Sequence, residues 1–377
     1  MTMGADVAKE GKRRAPLWAR LCAIFGCVLM VLSGGALITG QVVMARYAGA
    51  VENKDLFGNE AGETKVSDIK GPLNILLAGI DPRTDEQTPL SDSIIVAHVP
   101  ASMDQVYLFS IPRDLVVDIP PFDKTGFRGG RSKINAAMGF GSALGNGKHD
   151  PAQGFDLLAK TVQRLTGIAD FDAGAIINFG GFKQIVDAMG GVTMKVDQNV
   201  KSEHLQPNGK PRPRYARCAD NTCAHPYYGP QAEYKVGTYH LKGWQALDYV
   251  RQRYGLPKGD YDRQRHQQQF IKAMAEQALS KDVVTNPVKL DRVLKAAGKA
   301  LIFDGNGHNV VDWGFALKNI RANSMTSIKL PGKSLFDGGK YVGEGLDPSA
   351  ADFFSAVSQD RLPAFLLQHP EYINKNS

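Results

Sequence analysis

Between Tyr249 and Gln269 the chain reads YVRQRYGLPKGDYDRQRHQQQ, which gathers Arg251, Arg253, Arg263 and Arg265 with Asp260 and Asp262. A solvated helix face can carry that many charges, so density alone decides nothing. Arrangement says more. The arginines form two RxR pairs, and a Gly-Leu-Pro-Lys-Gly break between them stops a simple helix and turns two groups of guanidiniums toward a common place. Planar guanidinium forks match phosphate and pyrophosphate oxygens.

Other residues could complete such a site. Asp81 ends an apolar run in Asp81-Pro82-Arg83, and Asp92 precedes another. Two carboxylates at the ends of neighbouring strands can share one Mg2+, which leaves its remaining positions to water or substrate phosphate. Asp before Pro or Ser is equally a common turn or cap residue. Arg113-Asp114 follows Ser110-Ile111-Pro112, and Lys133 stands before Asn135. Each of these reads as well as an ordinary surface charge, and only their joint occurrence at strand ends suggests a polyanion-binding cleft. No GxSxG elbow, no GxxxxGK[ST] loop and no HExxH spacing occurs, so serine-nucleophile and zinc hydrolases are unsupported.

The setting for these residues is a 377-residue chain, 43% hydrophobic and 22% charged, an ordinary globular balance. Its 40 glycines argue for many tight turns, and its net charge of +7 suggests anionic partners. Lys9, Lys12, Arg13 and Arg14 precede an apolar run from Leu21 to about Gly40. A run of this length spans a bilayer core, and the basic flank keeps that end in the cytoplasm. A cleaved signal peptide is the alternative, given Ala48-Gly49-Ala50, but the run exceeds an ordinary signal h-region. Either way the bulk of the chain is exported, which disfavours nucleic acid as partner. Cys218 and Cys223 flank a CADNTC loop, where an oxidising compartment favours a disulfide over a metal site.

The continuous apolar run at 73–80 reads as a strand covered on both faces, and 93–99 and 105–111 read as the next two strands. A hairpin-like path between the last two would bring Asp92 near Arg113-Asp114. Helical spacing predicts helices over 156–165, with Gly167 as C-cap, and over 182–189, 267–280, 290–302, 311–320 and 347–357. Further strands are expected at 175–179, 192–196 and 327–330. The alternation implies an α/β sandwich. The expected organisation is a basic tail (1–20), an anchor (21–40), a stalk with one small element (41–69), a main domain (70–335) with an inserted loop (201–230), and a C-terminal extension (336–377) whose end from Asp360 is peripheral.

The segments NILLAGIDPR, LSDSIIV, FSIPRDLVVDIP, KINAA, DAMGGV and TYHLKGWQALDYVRQR, followed by GDYDR and QQ, resemble the LytR-CpsA-Psr family of membrane-anchored cell-wall enzymes. The likeness runs from about Leu73 to about Gln269, more loosely to Leu330. It implies an α-β-α sandwich whose central mixed sheet encloses an apolar lipid pocket, preceded by one transmembrane helix. It further implies a phosphotransferase that moves a glycopolymer from a polyprenyl-pyrophosphate carrier to peptidoglycan, leaving a phosphodiester link. Carried over by position, Asp81 and Asp92 are the expected Mg2+ ligands, with Mn2+ the alternative ion. Arg83, Arg113, Lys133, Arg251 and Arg253 are the expected pyrophosphate contacts, with Asp260, Arg263 and Gln267 adjoining them. Arg113 is expected to stabilise the transition state, and Asp92, Asp114 or solvent to accept the proton. One position departs: many relatives carry Arg directly before the Gln-Gln pair, where this chain has His266. Two rival functions share these residues, a polyprenyl-pyrophosphate hydrolase and a non-enzymatic lipid-carrier-binding regulator.

Overall fold

The computed structural model describes residues 51–58 and 68–374, except 83, 85, 219–222, 224, 279 and 285. The expected tail and anchor lie outside the described residues, as do Arg83 and much of the expected stalk. Among the described residues no helix is long and apolar enough to cross a membrane.

A seven-stranded mixed sheet forms the centre. Its strands are β1 (Glu52–Asn53), β2 (Leu73–Ile80), β3 (Ser91–Val99), β4 (Val106–Ser110), β7 (Ala173–Asn178), β12 (Leu301–Asp304) and β13 (Met325–Ile328), in the order β1-β12-β7-β2-β3-β4-β13. Two-stranded sheets pair β5 (Val116–Ile119) with β6 (Gly130–Lys133) and β8 (Val192–Val196) with β11 (Gly237–Leu241). They also pair β9 (Val200–Lys201) with β10 (Glu233–Tyr234) and β14 (Gly332–Asp337) with β15 (Lys340–Leu346). The apolar run of β2 is continuous because both its faces are covered. Leu76, Ala78 and Ile80 join one core, and Leu73, Ile75 and Leu77 the other.

On the first face pack α1 (Asn135–Ser142) and α2 (Pro151–Thr166). They approach closely through Gly154, where an added Cβ would lie 2.4 Å from the Met138 carbonyl oxygen. Gly167 caps α2 in the left-handed conformation, as the spacing predicts. On the second face lie α3 (Phe179–Ala188), α4 (Gly243–Arg251), α5 (Asp260–Ala278) and α7 (Pro287–Ala300), with the short α6 (Lys281–Val284) before the last. Trp313 of α8 (Val310–Ala316) packs against the edge of that face.

Three expectations differ from the structure. The helix expected over 290–302 stops at Ala300, and Leu301 turns extended to begin β12. Short apolar runs do not reveal by periodicity whether they belong to a helix or a strand. The expected stalk contributes β1 to the sheet, and Val51 and Leu56 are core residues. The C-terminal extension is part of the core, and its end from Asp360 is not peripheral, since Leu362, Leu366 and Tyr372 are buried. It holds most of the β14–β15 hairpin, α9 (Ala350–Ser358) and α10 (Leu362–Gln368), and it buries Phe353, Leu362 and Tyr372 in the first core. Phe353 meets Phe109 of β4 edge-on with centroids 5.2 Å apart.

Candidate active site

The antiparallel pairing of β2 with β3 sets Asp81 and Asp92 at the same end of the sheet. Gly79 pairs with Ser93 but Ile80 pairs with Ser91, which leaves Asp92 as the extra residue of a β-bulge. Bulges re-aim side chains beside functional sites. Arg113 arrives from the turn after β4, where Ile111 N–H donates to the Ile94 carbonyl at 2.9 Å. The predicted proximity of Asp92 and Arg113 therefore holds, and the two form a direct ion pair.

The arginine stretch folds as a helix end, a break and a helix start. Arg251 closes α4, residues 252–259 form the break, and Asp260 opens α5, seven residues before the expected start at Gln267. Gly255 and Gly259 both take positive φ (74° and 51°), a conformation L side chains avoid. This brings Arg113, Arg251, Arg253 and Arg263 around one basin of about 230 Å3, with Asp92 in its wall.

Each guanidinium there has an orienting partner. Arg251 Nη2 donates to Asp81 Oδ2 at 2.8 Å, and its guanidinium lies 5.0 Å over the Phe179 ring. Arg253 donates to Tyr254 Oη at 3.1 Å and stacks on that ring. Arg263 is 4% exposed; it donates to Asp260 Oδ1 at 2.9 Å and to the Asp92 carbonyl at 2.9 Å. Burial pushes its pKa below the ordinary value, against the pull of Asp260. Burial also opposes the charge of Arg113, but Asp92, Asp260 and Asp114 outweigh it and the net shift is upward. Arg113 Nε is buried without a hydrogen-bond partner, with Asp114 Oδ2 3.6 Å away.

Asp81 and Asp260 stand behind the basin wall and reach it through Arg251 and Arg263, and Lys133 and Gln267 lie apart from it. Lys133 bonds Asp114 at 3.0 Å and sits over Tyr341, on the far side of Asp114 from Arg113. Gln267 accepts from Ser93 Oγ at 2.9 Å and lines a second cavity. Arg265 is held by Asp197 at 2.7 Å and by Asp262, and takes no place in the basin wall. His266 is fully buried and stacks on Tyr249 with centroids 4.5 Å apart. Burial holds its pKa low, although Asp197 at 3.5 Å works in the opposite direction.

That second cavity, about 220 Å3, lies between the second sheet face and α3, α4 and α5. Leu77, Ile95, Ala175 and Ile177 form its floor. Phe182, Val250, Phe270 and Met274 are among its roof residues. Its polar side chains, Ser93 and Gln267, satisfy each other. Phe179 belongs to the wall of both cavities, so the apolar chamber and the arginine basin adjoin at that ring. Sequence reading does not reveal Phe179, Ser93, His204 or Tyr254 as site residues, because their placement depends on tertiary packing.

The donor set suits a hard cation. Asp81 and Asp92 are carboxylates with one oxygen each engaged by an arginine, side chains about a quarter exposed. Among the described residues no cluster of three or more His, Cys, Asp or Glu side chains could hold a metal. An ion here would therefore draw its other ligands from water and substrate phosphate, as Mg2+ commonly does.

The profile of the LytR_cpsA_psr family matches residues 41–358. The chain belongs to that family. The cell wall biosynthesis protein LcpA of Corynebacterium glutamicum is 26% identical over 371 residues, covering 89% of this chain, which spans 64% of that protein's length. The polyisoprenyl-teichoic acid–peptidoglycan teichoic acid transferase TagU of Bacillus cereus is 28% identical, with 74% of each chain covered. The crystal structure of Bacillus subtilis TagV superposes with a TM-score of 0.51 at 24% identity, covering 78% of this chain and 98% of that one, and shares the fold.

Proposed function

We propose that this chain is a phosphotransferase that moves a glycopolymer from a polyprenyl-pyrophosphate carrier to peptidoglycan. The observation that carries this reading is the adjacency of two chambers with opposite chemistry. An apolar cavity meets a four-arginine basin at the shared Phe179 ring, which fits a ligand with an aliphatic tail and a pyrophosphate head. The relatives' printed names, a cell wall biosynthesis protein and a teichoic acid transferase to peptidoglycan, support the same class.

In the proposed reaction an acceptor hydroxyl of peptidoglycan attacks the phosphorus that bears the sugar. A new P–O bond forms, the bond to the bridging pyrophosphate oxygen breaks, and polyprenyl phosphate leaves with that oxygen. Arg251, Arg253 and Arg263 hold nonbridging oxygens, oriented by Asp81, Tyr254 and Asp260. Arg113 meets the charge that develops in the transition state, a role that preorganised guanidiniums fill without rearrangement. Asp81 and Asp92 would hold Mg2+ or Mn2+, which neutralises phosphate charge when bound. Asp92 or Asp114 takes the acceptor proton. Lys133 holds Asp114 beside Arg113, and Gln267 borders the apolar chamber, so both position the site without lining the basin.

We infer the compartment from the basic flank and apolar run at 21–40, which fit a single-pass anchor with the N-terminus cytoplasmic. The Cys218–Cys223 disulfide supports an extracytoplasmic catalytic domain. A co-crystal structure with a short polyprenyl pyrophosphate tests the reading. It requires phosphates among Arg113, Arg251, Arg253 and Arg263, and the first isoprene units beyond Phe179. A tail lying on the outer surface would sink it.

A further inference from the structure

The 201–230 loop is not explained by the transfer chemistry, yet its described residues are tied down by a disulfide and by buried hydrogen bonds. Cys218 and Cys223 are bonded, with Cα atoms 5.3 Å apart. Arg212, 8% exposed, donates to the Glu203 carbonyl at 2.8 Å and to the Gly229 carbonyl at 3.2 Å. Ser202 donates to Asp248 at 2.8 Å, fixing the loop base to the helix that ends in Arg251. Ordering an insertion costs conformational entropy, so tying it down needs a compensating use.

What the loop displays is aromatic and cationic. Arg214 and Tyr227 are bridged across its two arms, and Tyr215 and Tyr228 follow them directly. Those two rings lie 4.8 Å apart and are 40% and 43% exposed, with the Arg217 guanidinium 4.8 Å over Tyr215. Tyrosine, apolar on its ring faces and polar at its tip, is enriched where proteins meet partners. The platform also continues from the basin, because His204 lines the basin and its ring meets Tyr227 at 5.2 Å.

We propose that Tyr215 and Tyr228, with Arg214 and Arg217, form a subsite for the anionic glycan of the donor as it leaves the arginine basin. The C–H faces of sugar rings stack on tyrosine, and the flanking guanidiniums pair with the polymer's phosphates. The inference rests on the transferase reading and adds a residue-level determinant of which glycopolymer is accepted.

The test measures equilibrium binding of two probes to the full chain in detergent with Mg2+, inorganic pyrophosphate and a purified lipid-free wall teichoic acid. The Tyr215→Ala/Tyr228→Ala variant should bind teichoic acid about tenfold more weakly and pyrophosphate as wild type does. Unchanged teichoic acid affinity overturns the subsite. Equal weakening of both probes also overturns it, because the loop would then serve only to support the basin. Wild-type protein that binds pyrophosphate but not teichoic acid removes the subsite alone. Failure to bind pyrophosphate removes the transferase reading on which it rests.

Discussion

Replacing Arg113 by alanine separates catalysis from folding. The side chain pairs with Asp92, Asp114 and Asp260, but two of these keep another cation. Lys133 stays 3.0 Å from Asp114, and Arg263 stays 2.9 Å from Asp260. Only Asp92 loses its side-chain partner, at a cost of roughly 1–3 kcal/mol. That is below the roughly 5–15 kcal/mol stability of ordinary domains, so the fold should survive. Ground-state binding should fall modestly, because Arg251, Arg253 and Arg263 still line the basin. The chemical step should fall by about a thousandfold, roughly 4 kcal/mol, as when a preorganised charge is removed from a phosphoryl-transfer site. Steady-state transfer with a purified lipid-linked donor, beside thermal melting by circular dichroism, reads both effects. A folded Arg113→Ala protein whose kcat stays within tenfold of wild type refutes this assignment.

Three further outcomes follow from the geometry. Asp81→Asn with Asp92→Asn should abolish the dependence of pyrophosphate affinity on Mg2+ and on Mn2+, measured by titration calorimetry with and without chelator; persistent metal dependence would place the ion elsewhere. Phe353→Ala should destabilise the protein by about 3–5 kcal/mol in urea unfolding, because the ring is fully buried against Phe109 and Tyr372; a change below about 1 kcal/mol would show that this helix contributes little to the core. Burial lowers the pKa of His98 despite the opposing pull of Asp360 3.2 Å away. The unfolded chain then takes up that proton first, so stability should decline as pH falls below the unfolded value of about 6.5. His98→Asn should flatten that part of the stability profile, and an unchanged slope would exclude His98 as its source.

The chain's legibility follows physical lines. The run LNILLAGI announces its strand because both faces are buried, and it ends where expected, at Ile80. Asp92 and Arg113 meet because a short antiparallel connection leaves few alternatives. The bulge that makes Asp92 the extra residue is invisible in sequence, since Ser-Asp-Ser reads equally as regular strand or turn. The β14–β15 hairpin is only faintly announced by Gly338 and Gly339, whose φ values of 55° and 78° suit a tight turn. Its position depends on a distant partner: the Glu344 N–H donates to the Asp114 carbonyl at 2.8 Å, while the Glu344 carboxylate accepts from Ser334 and Tyr341 within the hairpin. Gln267 illustrates the same limit. Sequence position sets it beside the arginines, whereas its helix face turns it to Ser93 and the apolar chamber.

The most direct measurement follows the phosphorus bearing the sugar in a reconstituted reaction. Full-length protein, Mg2+, a polyprenyl-pyrophosphate-linked glycopolymer and peptidoglycan should yield polyprenyl phosphate and a phosphodiester between polymer and peptidoglycan, detectable by 31P NMR. Free phosphorylated polymer beside unmodified peptidoglycan would identify a hydrolase and contradict the transferase account.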